Sequence, residues 1–307
     1  MSQHTHSHNH DESEKRIATA FFLNVSFTLI EFIGGVLTNS TAIMADAIHD
    51  LGDSLSIGSA RLLNRLGRKT ADKEFTYGYR RLSLLGALIN GLVLVIGSLW
   101  VLSEAIPRLA DPLMPMTEGM IALAILGVSV NGFAAYRLSK GNTLNEKILN
   151  WHLLEDVLGW VAVLVVALIL QFYDWPILDP ILSVAFTLFI LFNVIKNLLM
   201  TGKLFFQAAP DNNLLDKIES SLLSVKGVSD IHHQHLWSLD GEKHVLTCHV
   251  VIDQNEGFVA NQYSTLKQLI SSELKQYDLA HTTIEIELKQ ELCRDQSEYV
   301  AHDHNQN

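Results

Sequence analysis

The chain has 307 residues, of which 48% are hydrophobic and only 18% are charged. Its net charge of −11 is uneven, since residues 208–307 carry 16 acidic against 7 basic residues. These values exclude a nucleic-acid partner, which needs a basic surface, and two widely separated cysteines, Cys248 and Cys293, exclude a disulfide framework.

The chain begins with a polar segment, residues 1–16, in which histidines alternate with other residues at His4, His6, His8 and His10. Such composition predicts a disordered tail. Two interpretations remain open, a tail that collects metal weakly and a tail with no function of its own.

Apolar runs of about 20 residues, the length that crosses a bilayer, follow the tail. We predict six transmembrane helices within residues 17–205, at Ile17–Leu37, Ser40–Leu63, Leu82–Ala105, Met116–Leu138, Ile148–Phe172 and Ile177–Met200. The second run is the least apolar because it contains three aspartates. Basic residues concentrate in the loops after the second and fourth helices, whereas the opposite loops contain only Arg108. The positive-inside rule therefore predicts that both termini are cytoplasmic.

The pattern changes to that of a small water-soluble domain in residues 206–290. Two amphipathic helical segments and three strand-like segments follow in the order αββαβ, with an Asp-Gly turn between the first two strands. This order predicts a ferredoxin-like α+β domain, a sheet covered by two helices. Residues 291–307 are predicted to be a disordered tail.

Histidines mark a candidate metal site in the predicted helices. Of the fourteen in the chain, only His49 and His152 lie between residues 11 and 231, and each has an aspartate four residues later, Asp53 and Asp156. A spacing of four places two side chains on one face of a helix. Two such pairs supply two imidazoles and two carboxylates, a tetrahedral set suited to Zn²⁺. The competing interpretation is that each histidine only hydrogen-bonds a neighbouring helix.

Other polar residues of the spans form a second group of candidates. They are predicted either to hold the ligands in place or to line the ion path, and they are Asp46, Asp50, Glu155, Asn24, Glu31 and Asn131. For the asparagines and Glu31, hydrogen bonding between helices is the alternative.

At this point the chain resembles the cation diffusion facilitators, a family of zinc and related cation efflux transporters. The similar stretches are "NSTAIMADAIHDLGDS", "YGYRRLSLLGALING", "NWHLLEDVLGW" and "LDPILS", followed by the αββαβ domain. The resemblance implies a homodimer in the lipid bilayer that exchanges metal for protons by alternating access. It also implies that His49, Asp53, His152 and Asp156 are the transport ligands, in the form typical of the zinc-preferring branch.

The resemblance further implies a metal site in the cytoplasmic domain. His232, His249 and His281 fall at matching places on the three predicted strands and Glu287 ends the third, so these four are the predicted ligands. His233, His235 and Cys248 are nearby substitutes. The expected role of a Zn²⁺ ion here is regulatory or structural, and exposed strand histidines without metal are the alternative.

The predicted function is proton-coupled export of Zn²⁺ from the cytosol across a membrane, with a bacterial inner membrane favoured by the short loops. Export of Co²⁺, Cd²⁺ or Fe²⁺ by the same fold is the first alternative. A membrane metalloprotease is the second, with Glu155 as its general base, although the chain has no HExxH motif.

Overall fold

A computed structural model describes residues 5–67, 69–139, 144–253 and 260–293. The chain divides into two compact units. The first comprises Met1–Leu63 and Gly86–Leu199, and the second comprises Asn64–Leu85 and Met200–Asn307. The segment after the second helix therefore groups with the C-terminal residues, although it precedes four of the long helices in the chain.

Six long helices account for most of the first unit, which confirms the predicted count. They are α1 Thr5–Thr38, α2 Thr41–Gly67, α3 Leu82–Ala110, α4 Thr117–Ser139, α5 Leu144–Phe172 and α6 Leu178–Phe205. Among the described residues, five of the six contain a stretch long and apolar enough to cross a membrane, and α2 is the exception. At about 1.5 Å per residue, the 27 residues of α2 span about 40 Å, so its length is sufficient.

The N-terminal segment differs from its prediction. Helix α1 begins at Thr5, so residues 5–16 are helical rather than disordered, while His4 lies outside the described residues. The polar composition does not oppose this extension, because Glu and Lys are good helix formers. Of the predicted C-terminal tail, only residues 291–293 are described.

The first unit is held together by an apolar core between α1, α2, α4 and α5. Phe27 packs on Trp160 with ring centroids 5.4 Å apart, and both side chains are fully or almost fully buried. Large apolar side chains elsewhere face outward, such as Phe22, Ile96 and Phe189, with exposed fractions of 67%, 68% and 70%. Outward apolar surface on this scale is typical of helices that face lipid.

The second unit contains the predicted αββαβ order. Its elements are α7 Asn212–Leu223, β1 Val228–Ser238, β2 His244–Ile252, α8 Ala260–Leu274 and β3 Leu279–Leu288. Strand β2 is central, antiparallel to β1 and parallel to β3. Gly241 takes a φ of +95° in the turn between β1 and β2, where the Asp240 carboxylate accepts hydrogen bonds from the backbone of Glu242 and Lys243. The Asp-Gly turn is thus confirmed.

The two faces of this sheet differ in chemistry. Both helices cover one face, where Leu246, Cys248 and Val250 of β2 join apolar residues of α7 and α8 in a core. The odd-numbered residues of β2 and β3, including His249, Glu285 and Glu287, lie on the other face, because successive strand side chains alternate. A β-bulge between His232 and His235 changes the alternation of β1, and His233 within it has a φ of +55°. His232 precedes this bulge and follows the core residue Ile231, so it faces the same side as His249, its register partner.

Candidate metal centres

The helix site comprises His49 and Asp53 of α2 with His152 and Asp156 of α5. The Nε2 atom of His152 lies 2.8 Å from Asp53 Oδ2, and His49 Nε2 lies 3.5 Å from the same oxygen. His49 Nε2 is also 4.0 Å from Asp156 Oδ1. The two imidazole rings meet edge to face with centroids 5.6 Å apart. The structure therefore brings all four sequence-predicted ligands together.

These separations suit a single small divalent cation. Bonds of about 2.0–2.1 Å in a tetrahedral zinc shell separate neighbouring ligand atoms by about 3.3 Å. The three close pairs, His152–Asp53, His49–Asp53 and His49–Asp156, are separated by 2.8, 3.5 and 4.0 Å. His49 Nδ1 and Asp156 Oδ2 are buried with no hydrogen-bond partner among the described residues. The Asp156 side chain is 3% exposed, whereas the other three are 22% to 28% exposed. A cation could thus reach the site without unfolding the helices.

Three carboxylates form a separate acidic cluster, Glu31 of α1 with Asp46 and Asp50 of α2. One oxygen from each lies within 4.8 Å of the others. Glu31 and Asp50 are fully buried, Asp46 is 8% exposed, and neither Glu31 nor Asp50 has a hydrogen-bond partner for its carboxylate oxygens among the described residues. Three buried carboxylates without compensating charge are costly in a low-dielectric interior. The cluster therefore marks a place where positive charge is favourable.

The remaining polar candidates lie in different surroundings. Asn24 donates to Ser54 Oγ at 3.3 Å and so connects α1 to the residue after Asp53. The amide nitrogen of Asn131 is buried without a hydrogen-bond partner in the described part of the chain. Glu155 is exposed on α5, which gives no support to a role as a shielded general base.

The sheet site comprises His232, His249 and Glu287 on the open face of the sheet. His249 Nδ1 lies 2.7 Å from Glu287 Oε1, and His232 Nε2 lies 3.1 Å from Glu287 Oε2. The Glu287 carboxylate therefore lies between the two imidazoles, whose centroids are 5.4 Å apart. Both His249 and Glu287 are buried, with 6% of each residue exposed.

Two predicted participants do not belong to the sheet site. His281 pairs with Val245 in the parallel register of β2 and β3, and its ring lies against Tyr77. It is six residues from Glu287 along the strand, or about 20 Å. Glu285, not His281, is opposite His249. Cys248 faces the apolar core, where burial raises the pKa of its thiol to about 12.

The other substitutes remain near the sheet site, and the sequence had missed one neighbour. The His233 ring stacks on that of His249 at 4.9 Å, and the His235 ring lies 5.0 Å from His233. Cys293, five residues beyond the end of β3, places its sulfur 3.3 Å from His249 Nδ1. Its position soon after Glu287 was the only sequence signal for it.

Known proteins resemble this chain over most of its length. The family model described as the cation efflux transmembrane domain matches residues 17–203, and that of the cation efflux protein, cytoplasmic domain, matches residues 210–289. A "Cadmium, cobalt and zinc/H(+)-K(+) antiporter" of Bacillus subtilis (strain 168) is 32% identical, covering 92% of this chain and 91% of its own. "Metal cation efflux system protein CzcD" of Cupriavidus metallidurans is 32% identical, with coverage of 92% and 90%. "Zinc transporter ZitB" of Pectobacterium atrosepticum is 31% identical, with coverage of 92% and 88%.

Proposed function

The chain belongs to the cation efflux family, the cation diffusion facilitators, and on that premise we propose that it is a multi-pass membrane antiporter that exports Zn²⁺ from the cytosol in exchange for protons. The names of its relatives support metal antiport, since they mention zinc, cadmium, cobalt and H⁺. Co²⁺, Cd²⁺ and Fe²⁺ are the alternative substrates.

The observation that carries the proposal is the convergence of four ligands in the helix site. His49 and Asp53 come from one long helix and His152 and Asp156 from another. His49, Asp53 and His152 offer ligand atoms that all lie within 4.8 Å of one another, and Asp156 joins them through its oxygen 4.0 Å from His49 Nε2. Two nitrogen and two oxygen ligands in a tetrahedral arrangement favour Zn²⁺ over the hard ions Mg²⁺ and Ca²⁺, which prefer more oxygen ligands. Since the four ligands are divided between two helices, a relative movement of α2 and α5 would change the shell.

Exchange follows from competition for the same ligands. An imidazole binds a metal only in its neutral form, and histidine exchanges its proton near neutral pH. Metal and protons therefore exclude each other at the helix site. If the site opens alternately to the two sides of the membrane, a proton gradient drives metal in the opposite direction.

We assign the acidic cluster of Glu31, Asp46 and Asp50 to the ion path, together with Asn24 and Asn131. The cluster lies on α1 and on α2, the helix that also supplies His49 and Asp53. Negative charge there lowers the energy of a dication that enters the protein. We also assign Glu155, which is exposed on α5, to the ion path.

The arrangement in the membrane follows from charge and family. We propose that both termini are cytoplasmic, because the basic loops connect α2 to α3 and α4 to α5. The location is the bacterial inner membrane, as the bacterial relatives suggest. Two chains form a homodimer. In each chain, residues 17–205 form the transmembrane domain and residues 206–290 form the cytoplasmic domain.

We further propose that the sheet site binds a regulatory or structural Zn²⁺ ion. His232, His249 and Glu287 offer two nitrogens and an oxygen within bonding reach of one cation. This ion lies in the unit that the family describes as cytoplasmic, so it is not the transported one.

The test is metal flux in liposomes that contain the purified chain. With an acidic interior, Zn²⁺ should enter as protons leave, and fluorescent indicators for both ions should change together. Asp156→Asn should abolish both signals, whereas Asp174→Asn, a matched change in the exposed α5–α6 loop, should preserve them. Equal flux in Asp156→Asn and the unchanged protein would refute the proposal.

A further inference from the structure

The sulfur of Cys293 lies beside the sheet site. It is 3.3 Å from His249 Nδ1, the nitrogen that also lies 2.7 Å from Glu287 Oε1. Ligand atoms of His232, His249, Glu287 and Cys293 all fall within 4.8 Å of one another. Four donors of three chemical types thus surround one point at the open face of the sheet.

A turn after β3 brings the cysteine back to this face. The backbone N–H of Glu291 donates to the Leu288 carbonyl at 2.8 Å, and the Glu291 side chain accepts from the Leu288 N–H at 2.7 Å. These two hydrogen bonds reverse the chain immediately after the strand. Without the reversal, Cys293 would continue along the direction of β3 and move away from Glu287, about 3.3 Å for each further residue.

The donor set fits a tetrahedral cation with one thiolate. Zinc bonds are about 2.3 Å to sulfur and 2.0–2.2 Å to nitrogen or oxygen, so a sulfur and a nitrogen of one shell lie about 3.5 Å apart. The Cys293–His249 separation of 3.3 Å is close to this value. His232 Nε2 is buried without a hydrogen bond in good geometry among the described residues, although the Glu287 carboxylate is 3.1 Å away. This nitrogen is therefore not committed to a well-formed hydrogen bond among the described residues, as expected of a ligand atom.

We propose that Cys293 is the fourth ligand of the sheet site, giving a His₂GluCys shell for a soft or borderline divalent cation. The proposal deepens the regulatory ion of the proposed function and rests on it. Cys293 lies beyond residues 210–289, the part matched by the family's cytoplasmic domain, so the family match does not include this ligand. When the cation binds, the sulfur–metal bond forms as the thiol proton passes to solvent.

Two consequences follow for the cytoplasmic unit. A thiolate favours Zn²⁺, Cd²⁺ or Co²⁺ over Mg²⁺ and Ca²⁺, so the shell discriminates by ligand softness. The same bond ties the segment after β3 to the sheet, so that binding fixes the position of residues 289–293. The cation therefore controls both the reactivity of the thiol and the order of this segment.

The first experiment uses Co²⁺ as a spectroscopic substitute for zinc in the full-length protein in detergent. All variants also carry Asp156→Asn, which disables the helix site. Thiolate-to-Co²⁺ charge-transfer absorption is expected with Cys248→Ala and is expected to disappear with Cys293→Ser. Persistence of the absorption in Cys293→Ser, or its absence in both variants, would overturn the assignment.

The second experiment measures maleimide modification of Cys293 in the Cys248→Ala protein. Zinc at about ten times its dissociation constant should slow modification roughly tenfold, by occupancy alone. His249→Ala should remove this protection, and the matched His281→Ala should retain it. If zinc still protects the thiol in His249→Ala, Cys293 binds zinc without His249. That result would contradict the proposed four-ligand shell. Both experiments report on the sheet site and do not require a functional helix site. Their failure would therefore not contradict the flux result, and a failed flux assay would not contradict them.

Discussion

Asp179 determines how the N-terminus of α2 is held, and its removal provides a quantitative test of the fold around the helix site. The buried carboxylate accepts hydrogen bonds from Ser40 Oγ at 2.5 Å, the Thr41 backbone N–H at 2.7 Å and Thr41 Oγ1 at 2.9 Å. A longer contact of 3.4 Å comes from the Ala42 N–H. An acidic side chain of α6 thus caps the helix that carries His49 and Asp53.

The expected loss follows from these contacts. A hydrogen bond to a charged group contributes about 1.5–3 kcal/mol, so Asp179→Ala should cost about 4–5 kcal/mol if the three short bonds count at the low end. A change of 1 kcal/mol shifts Tm by roughly 2–4 °C in a domain of 150–250 residues, which gives a decrease of roughly 8–20 °C. Asp179→Asn keeps an acceptor oxygen but loses the charge, and about half of this decrease is expected.

The assay is thermal unfolding of the purified protein in detergent. Ser183→Ala is the control, since it removes one hydrogen bond, from Ser183 Oγ to the Thr41 carbonyl at 2.9 Å, near the same helix end. It should cost about 1 kcal/mol. If Asp179→Ala unfolds within about 2 °C of the control, the carboxylate does not secure α2 and the argument is wrong.

Three further predictions concern other parts of the molecule. Gly127→Ala places a methyl carbon 2.3 Å from a ring carbon of Trp160 and should destabilise the protein by about 1–3 kcal/mol, while Gly132→Ala, with open space at its Cβ, should not lower Tm. Because burial raises the pKa of Cys248 to about 12, maleimide at neutral pH should modify only the other cysteine in the folded protein; modification of both would contradict the burial. Burial opposes ionisation of Asp240 and would raise its pKa. Hydrogen bonds from the Lys243 backbone N–H and the Arg80 guanidinium outweigh this effect and lower the pKa of Asp240. Asp240→Asn should therefore destabilise the protein at neutral pH, and this difference should shrink as pH falls below the ordinary value of about 3.9; a pH-independent difference would exclude the charge as its source.

Periodicity and spacing were sufficient to predict much of this structure. The apolar runs predicted the long helices, because a bilayer-length stretch has few alternatives to a helix. The four-residue spacing of His49 with Asp53 and of His152 with Asp156 predicted two pairs of ligands on single helix faces. That the two pairs would meet was a hypothesis drawn from their identical pattern and supported by the resemblance, since spacing within one helix contains no information about its neighbours.

The sheet site shows where such reasoning fails. The sequence indicated three strands with histidines but not their register, and a parallel β3 places Glu285 rather than His281 opposite His249. A bulge in β1 after His232 changes which way the following residues face, so that Ile231 and Leu236 both lie in the core. No glycine marks the position of the bulge or the positive φ of His233. Cys293 was missed because a side chain–backbone hydrogen bond at Glu291 reverses the chain after the strand.

Locating zinc by its anomalous X-ray scattering in crystals of the full-length protein is the most direct test of the central claim. The account predicts one zinc peak between α2 and α5, bonded to His49, Asp53, His152 and Asp156 at about 2.0–2.2 Å. A structure with zinc at other positions of the transmembrane unit, and with these four side chains directed away from one another, would contradict it.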